Sequence, residues 1–343
     1  MNFDDQTILI TGAAGFIGYH LAHRILTECP AARVVGLDDM NDYYDVSLKQ
    51  ARLDDLNALR GRFTFIRGSI ADRPLVDGLF AEHRPDVVVN LAAQAGVRYS
   101  ITHPEAYIQS NLVGFFHILE ACRHARDGGG RGVRHLVYAS SSSVYGLNEK
   151  TPYSTEDKAD RPVSLYAATK KSDELMAHAY SKLYGIPATG LRFFTVYGPM
   201  GRPDMAYFGF TDKMVRGEKI QLFNHGDMYR DFTYVDDVVT GVMNVMARAP
   251  EANADGVPYA LYNIGNHHPE SLLDFVQTLE ECLLEAGVID HPAEKELLPM
   301  QPGDVYQTCA DVEPLARDFG FRPDTPLREG LRRYARWYRE YYC

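Results

Sequence analysis

Short apolar runs alternate with longer helical patterns over the first part of the chain. The run at residues 86–93 is apolar along its length, as strands buried on both faces of a parallel sheet are. Strands that alternate with helices predict an α/β fold built on a Rossmann-type doubly wound parallel sheet. The predicted strands are residues 7–10, 33–38, 63–70, 86–93, 135–139 and 189–194, and predicted helices begin near residues 16, 46, 104 and 165.

The pattern becomes irregular after Thr195, where short runs and turns replace the regular alternation. A chain of 343 residues is long enough to form two lobes. We therefore predict a first domain over residues 1–194, rejoined by part of residues 234–265. Residues 195–343 are predicted to form a smaller C-terminal α/β lobe that binds the substrate.

A glycine-rich turn follows the first predicted strand. Gly18 is the last of three evenly spaced glycines, and Asp38 ends the second predicted strand 20 residues later. Glycine lets the backbone approach a pyrophosphate at a helix N-terminus, and an acid at this distance accepts the ribose hydroxyls. A lone glycine triplet is compatible with a plain tight turn, but this context predicts a dinucleotide site that favours NAD over NADP. The turn residues predicted to contact the cofactor are Gly12, Gly15, Phe16, Ile17 and Gly18.

Other predicted cofactor contacts come from the second helix and from the end of the fourth strand. Lys49 can reach the adenosine end of a dinucleotide, although a solvated helix lysine is the simpler alternative. Leu91, Ala92 and Ala93 end the fourth strand, where small side chains let a cofactor lie close to the backbone. Close packing of the strand is the alternative explanation there.

Tyr166 and Lys170 lie four residues apart and so share one face of the helix predicted over residues 165–184. A phenol is a poor base at neutral pH until a nearby cation stabilises its phenolate. Ser141, at the end of the fifth strand, can hydrogen-bond the same reacting oxygen. This trio suits removal of a proton from a hydroxyl while a hydride leaves its carbon. An ordinary surface Tyr and Lys is the alternative, but the trio and the glycine turn converge on the strand ends where such sheets bind ligands.

Composition and charge narrow the possible functions. The chain carries 35 Lys and Arg against 46 Asp and Glu, a formal net charge of −11, and no basic run, which argues against a nucleic-acid partner. No apolar run approaches the ~20 residues of a membrane span, and the acidic start gives no sign of a signal peptide. Histidines without metal-ligand spacing argue against a metal site, and scattered single cysteines predict reduced thiols in the cytoplasm. The cysteines are Cys29, Cys122, Cys282, Cys309 and Cys343.

Several of these motifs together resemble the extended short-chain dehydrogenase/reductase family, and the resemblance covers almost the whole chain. Its markers are Gly12, Gly15 and Gly18, Asn111, Ser141, Tyr166 with Lys170, and the Pro-Gly-Asp at residues 302–304. Three longer strings, at residues 42–49, 197–206 and 230–237, resemble the UDP-glucuronate 4-epimerases within that family.

The resemblance implies a reversible C4 epimerisation of UDP-glucuronate to UDP-galacturonate through a 4-keto intermediate, with transient hydride transfer to tightly held NAD. It implies that Tyr166 takes the 4-hydroxyl proton. It also implies cofactor contacts at Asn111 and at Ile70. Ser69, next to Ile70, stands where family members usually carry Asp. A homodimer built on the helices near residues 104–125 and 165–184 is a further implication.

Candidate substrate contacts follow from that assignment. Arg202 and Arg230 can hold a diphosphate in a bidentate fork, although surface salt bridges are the alternative for both. Ser142, Ser143 and Thr195 offer neutral hydroxyl donors for the sugar carboxylate. The alternative is that these hydroxyls cap the helix that follows the fifth strand. The full predicted set is Ser141, Ser142, Ser143, Thr195, Arg202, Gln221, Phe223, Arg230 and Asp304.

Other activities remain open at this point. A UDP-glucose/UDP-galactose 4-epimerase shares the fold and the trio, but such enzymes commonly carry Asn where this chain has Thr195. UDP-glucuronate decarboxylases and 4,6-dehydratases usually place Glu where this chain has Ser143. A non-catalytic NAD-binding regulator is expected to have lost Tyr166 or Lys170, and both are present.

Overall fold

The computed structural model describes residues 3–59, 61–126, 131–300 and 305–343. The chain divides into two compact units. Unit 1 comprises Met1–Gly146, Lys158–Arg192 and Val239–Tyr262. Unit 2 comprises Leu147–Asp157, Phe193–Val238 and Asn263–Cys343.

A seven-stranded sheet forms the centre of unit 1. Its strands are β1 (Thr7–Thr11), β2 (Arg33–Asp38), β3 (Arg62–Arg67), β4 (Val87–Asn90), β5 (His135–Ser141), β6 (Ala188–Phe193) and β10 (Tyr259–Ile264). The strand order is β10-β6-β5-β4-β1-β2-β3, and β1 pairs in parallel with both β2 and β4. The order reverses at β1 and β4, which confirms the predicted doubly wound sheet.

Helices surround this sheet. They are α1 (Phe16–Glu28), α2 (Val46–Ala58), α3 (Arg73–His83), α4 (Tyr99–Thr102), α5 (Pro104–Tyr107), α6 (Phe115–His124), α7 (Leu165–Tyr184) and α9 (Val235–Ala247). Buried side chains of α3, α6 and α7, including Leu79, Leu119 and Ala177, form one core cluster with Leu9 and Val88 of the strands. Alternate strand residues supply that face because successive side chains of a strand point to opposite sides.

The helix predicted near residues 104–125 is not a uniform α-helix, and α3 was not predicted. A π-helical segment, Ile108–Gly114, separates α5 from α6. The wider turn accompanies side-chain hydrogen bonds from Asn111, which lies inside it. Hydrophobic spacing does not reveal such a segment, because it adds no apolar residue and breaks no run.

Unit 2 contains two small sheets. Strands β11 (Pro269–Ser271), β9 (Tyr229–Tyr234) and β7 (Thr195–Tyr197) form one, in that order, and β12 (Lys295–Leu297) pairs with β8 (Ile220–Leu222) in the other. The helices are α8 (Ala206–Val215), α10 (Leu272–Glu285), α11 (Glu313–Phe319) and α12 (Leu327–Tyr342). Aromatic rings of α8 and α12 pack together, with Tyr207 and Tyr334 edge to face at 4.9 Å.

Within the described parts of the chain, no helix has both the length and the apolar character needed to cross a bilayer. Cys122, Cys282, Cys309 and Cys343 form no disulfide bond.

Candidate active site

The glycine turn between β1 and α1 has no room for side chains. A Cβ at Gly12, where φ is +71°, would lie 2.8 Å from Ala92 N, and one at Gly18 would lie 2.1 Å from Gly12 O. Both contacts are with backbone atoms, so neither position accepts a larger residue without moving the turn. Gly15 is the N-cap residue of α1, and no side chain caps that helix. The turn therefore presents a helix N-terminus to which a pyrophosphate can bind.

Asp38 ends β2 beside this turn and is 7 % exposed. Its carboxylate accepts hydrogen bonds from Ala14 N at 3.1 Å and from Met40 N at 2.9 Å. Burial raises the pKa of Asp38, an effect that the nearby Lys49 and these backbone donors oppose. The carboxylate is thus fixed at the end of the strand next to the glycine turn.

Lys49 is buried against Asp38, so the alternative of a solvated lysine is wrong. It is 4 % exposed, and its Nζ lies 3.7 Å from Asp38 Oδ1 and 3.2 Å from Asn41 Oδ1. Arg52, three residues further along α2, was not predicted as a site residue. It is fully buried and donates to Ala14 O at 2.7 Å and to Tyr44 Oη at 2.8 Å. Its place on the face of α2 that carries Lys49 was the available signal.

Asn111 connects the end of β4 to α7. Its Oδ1 accepts from Gln94 N at 2.8 Å, and its Nδ2 donates to Gln94 O at 3.1 Å and to Thr169 Oγ1 at 3.0 Å. With three hydrogen bonds to protein and 1 % exposure, Asn111 fixes the backbone beside the site. This contact is internal to unit 1.

The remaining predicted cofactor residues lie near the same ends of β1 and β4. Leu91, Ala92 and Ala93 directly follow β4 and are half-buried. Ala92 N donates to Thr11 Oγ1 at 3.1 Å. Ile70 is 3 % exposed and lies so close to Gly114 that a Cβ there would approach Ile70 Cγ1 to 2.5 Å.

Helix α7 carries Tyr166 and Lys170 in its first two turns. Ser164 caps it by accepting from Ala167 N at 3.1 Å. Lys170 is 2 % exposed, and its Nζ donates to Ala139 O of β5 at 3.1 Å. Tyr166 is half-buried, and its ring packs edge to face on Tyr107 at 6.0 Å. The two side chains therefore lie on one helix face, and Lys170 reaches the end of β5.

Ser141 is the last residue of β5, and its Oγ accepts from Ser143 N at 3.2 Å. It also donates to Ser143 Oγ at 3.2 Å. Ser141 thus caps the short 3₁₀ turn Ser142–Tyr145, a role that the capping alternative had given to Ser142, Ser143 and Thr195 instead. Ser142 and Ser143 are half-buried at the start of that turn.

A buried ion pair beneath these residues was not predicted. Arg192 of β6 binds Glu174 of α7 through two hydrogen bonds, of 2.7 and 2.8 Å, and both residues are at most 2 % exposed. Burial opposes ionisation of Glu174, but hydrogen bonds and charge from Arg192 lower its pKa overall. Ser140 donates to the same carboxylate at 2.7 Å, and the Arg192 guanidinium lies 4.7 Å from the centre of the Tyr145 ring. The ion pair therefore contacts Ser140, just before the serine turn, and Tyr145, at the end of that turn.

The predicted substrate residues of the C-terminal lobe lie in unit 2. Thr195 begins β7 and is half-buried, and Phe223 begins a 3₁₀ turn after β8. Gln221 is exposed and donates to Glu296 Oε2 at 2.9 Å. Asp304 lies outside the described residues.

The two arginines of this set differ in their partners. Arg202 forms an ion pair with Asp204, with Nε 2.9 Å from Oδ1, as its surface alternative anticipated. Arg230 donates to the carbonyl oxygens of Tyr229 at 2.9 Å and of Tyr306 at 3.0 Å. Its guanidinium is thus held by backbone atoms of unit 2.

A model of the NAD dependent epimerase/dehydratase family matches residues 8–265. The chain belongs to this family. It is 48% identical over 98% of its length to Protein CapI of Staphylococcus aureus, and the match covers 99% of that protein. It is 43% identical to the probable UDP-glucuronate 4-epimerase of Rhizobium meliloti, over 97% of both chains.

A solved structure is similar over the same length. The crystal structure of UDP-glucuronic acid 4-epimerase from Bacillus cereus, in complex with UDP-glucuronic acid and NAD, matches with a TM-score of 0.86. The two chains are 34% identical, and the match covers 98% of this chain and 100% of the other.

The site in unit 1 fits the dinucleotide that the family name implies. Because Gly12 and Gly18 carry no Cβ, the backbone of the turn packs closely at the start of α1, and Asp38 is fixed beside it. Among the described residues, no group of three or more His, Cys, Asp or Glu side chains is arranged to hold a metal ion. A glycine turn at a helix N-terminus with an acid at the end of the next strand is an arrangement that can bind a dinucleotide.

Proposed function

We propose that this protein is a UDP-glucuronate 4-epimerase, which interconverts UDP-glucuronate and UDP-galacturonate with NAD bound throughout. Two kinds of observation support the proposal. Relatives that carry this name match the chain from end to end, and one of them was crystallised with both UDP-glucuronic acid and NAD. The residues proposed for the reaction, Ser141, Tyr166 and Lys170, all belong to unit 1.

The observation that carries the proposal is the position of Lys170 between Tyr166 and β5. Lys170 is buried, on the same face of α7 as Tyr166, and is held by Ala139 O at 3.1 Å, two residues before Ser141. In the proposed site, the Tyr166 phenol, the Lys170 ammonium and the Ser141 hydroxyl act together at the carboxyl end of β5. Such a set performs oxidation and reduction at a carbinol, which is the chemistry of a C4 epimerase.

Oxidation at C4 removes a proton from the hydroxyl and a hydride from the carbon. NAD supplies the acceptor for that hydride and the donor that returns it. Tyr166 takes the proton as a phenolate, which the Lys170 ammonium stabilises. Ser141 donates to Ser143 Oγ in the structure, and by turning about its χ1 it can instead hydrogen-bond the C4 oxygen. When the 4-keto sugar presents its other face, Tyr166 returns the proton and the configuration is inverted.

We propose that residues 1–194, with part of residues 234–265, bind NAD. Asp38 binds the adenosine ribose, and Lys49 is held at the same end of the cofactor by its contact with Asp38. The proposed contacts are Gly12, Gly15, Phe16, Ile17, Gly18, Asp38, Lys49, Ile70, Leu91, Ala92, Ala93, Asn111, Tyr166 and Lys170.

We propose that residues 195–343 bind the nucleotide sugar. Arg202 and Arg230 bind the diphosphate, and Arg202 must then exchange its pairing with Asp204 for the phosphate. Short hydroxyls hold the sugar carboxylate without adding a repelling charge. The proposed substrate contacts are Ser141, Ser142, Ser143, Thr195, Arg202, Gln221, Phe223, Arg230 and Asp304.

Purified protein incubated with UDP-glucuronate, without added NAD, tests this function. We expect UDP-galacturonate to appear until the two sugars reach equilibrium, since the cofactor is not consumed. UDP-glucose is the matched substrate, because it differs at C6 by a hydroxymethyl group in place of the carboxylate. Faster conversion of UDP-glucose would favour the UDP-glucose 4-epimerase alternative. A UDP-pentose as the main product would favour a decarboxylase.

We also propose that the protein is a homodimer joined through the α6 and α7 side of unit 1. Large apolar side chains are exposed there, namely Phe116 of α6 at 37 % and Leu175 and Leu183 of α7 at 62 % and 70 %. Exposed apolar side chains of this size on neighbouring helices are typical of interfaces. Leu175→Arg should give a monomer by light scattering, while Leu273→Arg, at an exposed position of α10 in unit 2, should not.

A cytoplasmic location is the remaining proposal, and it rests on the free thiols. Cys122 and Cys282 are buried and form no disulfide bond, as expected for a protein that folds in a reducing compartment. Cell fractionation with an antibody against the protein tests this location.

A further inference from the structure

Lys170 is paired with a buried carboxylate on its own helix. Asp173 lies three residues further along α7 and is 1 % exposed, and its Oδ2 accepts a hydrogen bond from Lys170 Nζ over 3.2 Å. Lys170 donates a second bond to Ala139 O over 3.1 Å. An ammonium has three N–H groups, so one remains for Tyr166 or a ligand.

The other carboxylate oxygen of Asp173, Oδ1, is buried and has no hydrogen-bond partner among the residues that the structure describes. A carboxylate in such surroundings is costly to keep ionised. Burial accordingly raises the pKa of Asp173 to about 7, although Lys170 acts to lower it. The charge beside Lys170 therefore changes close to neutral pH.

Few other charges act on Asp173. Glu174 of α7 repels its charge, and Tyr138 of β5 is the titratable group that faces it from the sheet. The π-helical segment packed against α7 contains no titratable side chain. The other titratable groups on elements packed against α7 have different surroundings. Glu120 of α6 bonds to Tyr180 and Arg123, and His124 pairs with the same Glu120. Tyr107 of α5 bonds to Ala95 O, and Glu105 of the same helix is exposed. Tyr99 of α4 stacks on His103, and Tyr145 packs against Arg192.

We propose that Asp173 is a positioning residue of the epimerisation, whose carboxylate fixes Lys170 Nζ and offsets part of the ammonium charge that stabilises the Tyr166 phenolate. The inference rests on the proposed function, which gives Tyr166 and Lys170 their roles. When Asp173 is ionised, the Lys170–Asp173 pair is neutral and Tyr166 loses its proton less readily. When Asp173 is protonated, the full ammonium charge acts on the phenol and the phenolate forms more readily.

Asp173→Asn separates the positioning of Lys170 from the offset of its charge. Asn keeps an oxygen that can accept a hydrogen bond from Lys170, but it carries no charge. With NAD bound, the ultraviolet absorbance of each protein is measured as a function of pH. The absorbance of the same protein carrying Tyr166→Phe is subtracted, and the difference reports the Tyr166 phenolate. We expect the phenolate to form about one pH unit lower in Asp173→Asn than in the wild type, a tenfold change in proton affinity. The acid limb of kcat for UDP-glucuronate should shift equally, with KM unchanged.

Glu280→Gln is the matched control. Glu280 is 5 % exposed and is also paired with a lysine, Lys295, whose Nζ lies 2.7 Å from its Oε2, within unit 2. This variant should leave the phenolate titration where it is in the wild type. A titration of Asp173→Asn that coincides with the wild type, or that moves to higher pH, would overturn the proposal. So would a lower kcat with an unchanged pH profile, which a purely structural role predicts.

Two further measurements keep the test decisive. Asp173→Ser is a second neutral variant with a smaller side chain, and its titration must shift in the same direction. In the wild type, coupling between Tyr166 and Asp173 should make the titration curve of Tyr166 depart from that of a single proton. A single-proton curve for Tyr166 would also contradict the proposal. Because the absorbance titration needs no turnover, it remains informative if UDP-glucuronate is not epimerised, an outcome that contradicts only the proposed function.

Discussion

Gly18→Ala adds a single methyl group at the start of α1, where the backbone leaves no room for it. The new Cβ would lie 2.1 Å from Gly12 O, whereas contacts below 3.0 Å essentially never occur. The turn must therefore move by about 0.9 Å, the difference between those two distances. Since Gly12 O is a backbone atom and the position of an alanine Cβ is fixed by its own backbone, no rotation of a side chain can relieve the contact.

This displacement acts on the backbone that is proposed to hold the pyrophosphate. If it breaks two hydrogen bonds to a charged phosphate, each worth about 1.5–3 kcal/mol, NAD binding weakens by at least about 3 kcal/mol. At about 1.4 kcal/mol per factor of ten, this is a loss of affinity of roughly 100-fold or more. Isothermal titration of the NAD-free protein with NAD measures this change directly.

Gly78→Ala is the matched control for this experiment. Gly78 lies inside α3, and a Cβ there would meet no atom within 4 Å. This variant should bind NAD as the wild type does and gain about 0.5–1 kcal/mol of stability, because alanine favours a helix over glycine. We expect Gly18→Ala to bind NAD roughly 100-fold more weakly than the wild type. A change of only about threefold would show that the backbone of this turn does not hold the cofactor.

The other predictions concern the proton, the ribose and the carboxylate. Tyr166→Phe should retain NAD but lose about two to four orders of magnitude in kcat, the scale of a general base, and near-normal turnover would exclude this role. Wild-type protein should bind NADP far more weakly than NAD. Asp38→Ala should reduce this difference in affinity, because buried Lys49 would then face the 2′-phosphate. Equal affinities of the wild type for the two dinucleotides would show that Asp38 does not bind the ribose. Ser143→Ala and Thr195→Ala should each lower activity on UDP-glucuronate more than on UDP-glucose and release some decarboxylated pentose product. Equal effects on both sugars without pentose would show that these hydroxyls do not hold the carboxylate.

The sequence was sufficient for those parts of the fold and site that depend on local spacing. The glycine turn, Asp38 and the Tyr166–Lys170 pair are each defined by residues close together in the chain, and the parallel strands by unbroken apolar runs. Each of these features has one physical cause that acts over a few residues. The structure therefore contains them at the predicted positions.

Features that depend on distant partners could not be predicted in this way. Glu174 and Arg192 are 18 residues apart, and nothing in either segment shows that one binds the other. Lys49 looks like a surface lysine because α2 is polar, yet it is buried by its pairing with Asp38. The π-helical segment likewise contains a residue with a distant partner, since Asn111 donates to Thr169, 58 residues away. Tertiary contacts decide all three.

The fate of the hydrogen at C4 tests the central claim most directly. UDP-glucuronate that carries deuterium at C4 is incubated with the protein in ordinary water, and the UDP-galacturonate formed is isolated and examined by NMR. Since the hydride that leaves C4 returns to C4 within the same site, the account predicts that the product keeps its deuterium there. Product in which deuterium at C4 has been replaced by hydrogen from water, or recovery of UDP-glucuronate without any C4 epimer, would contradict it.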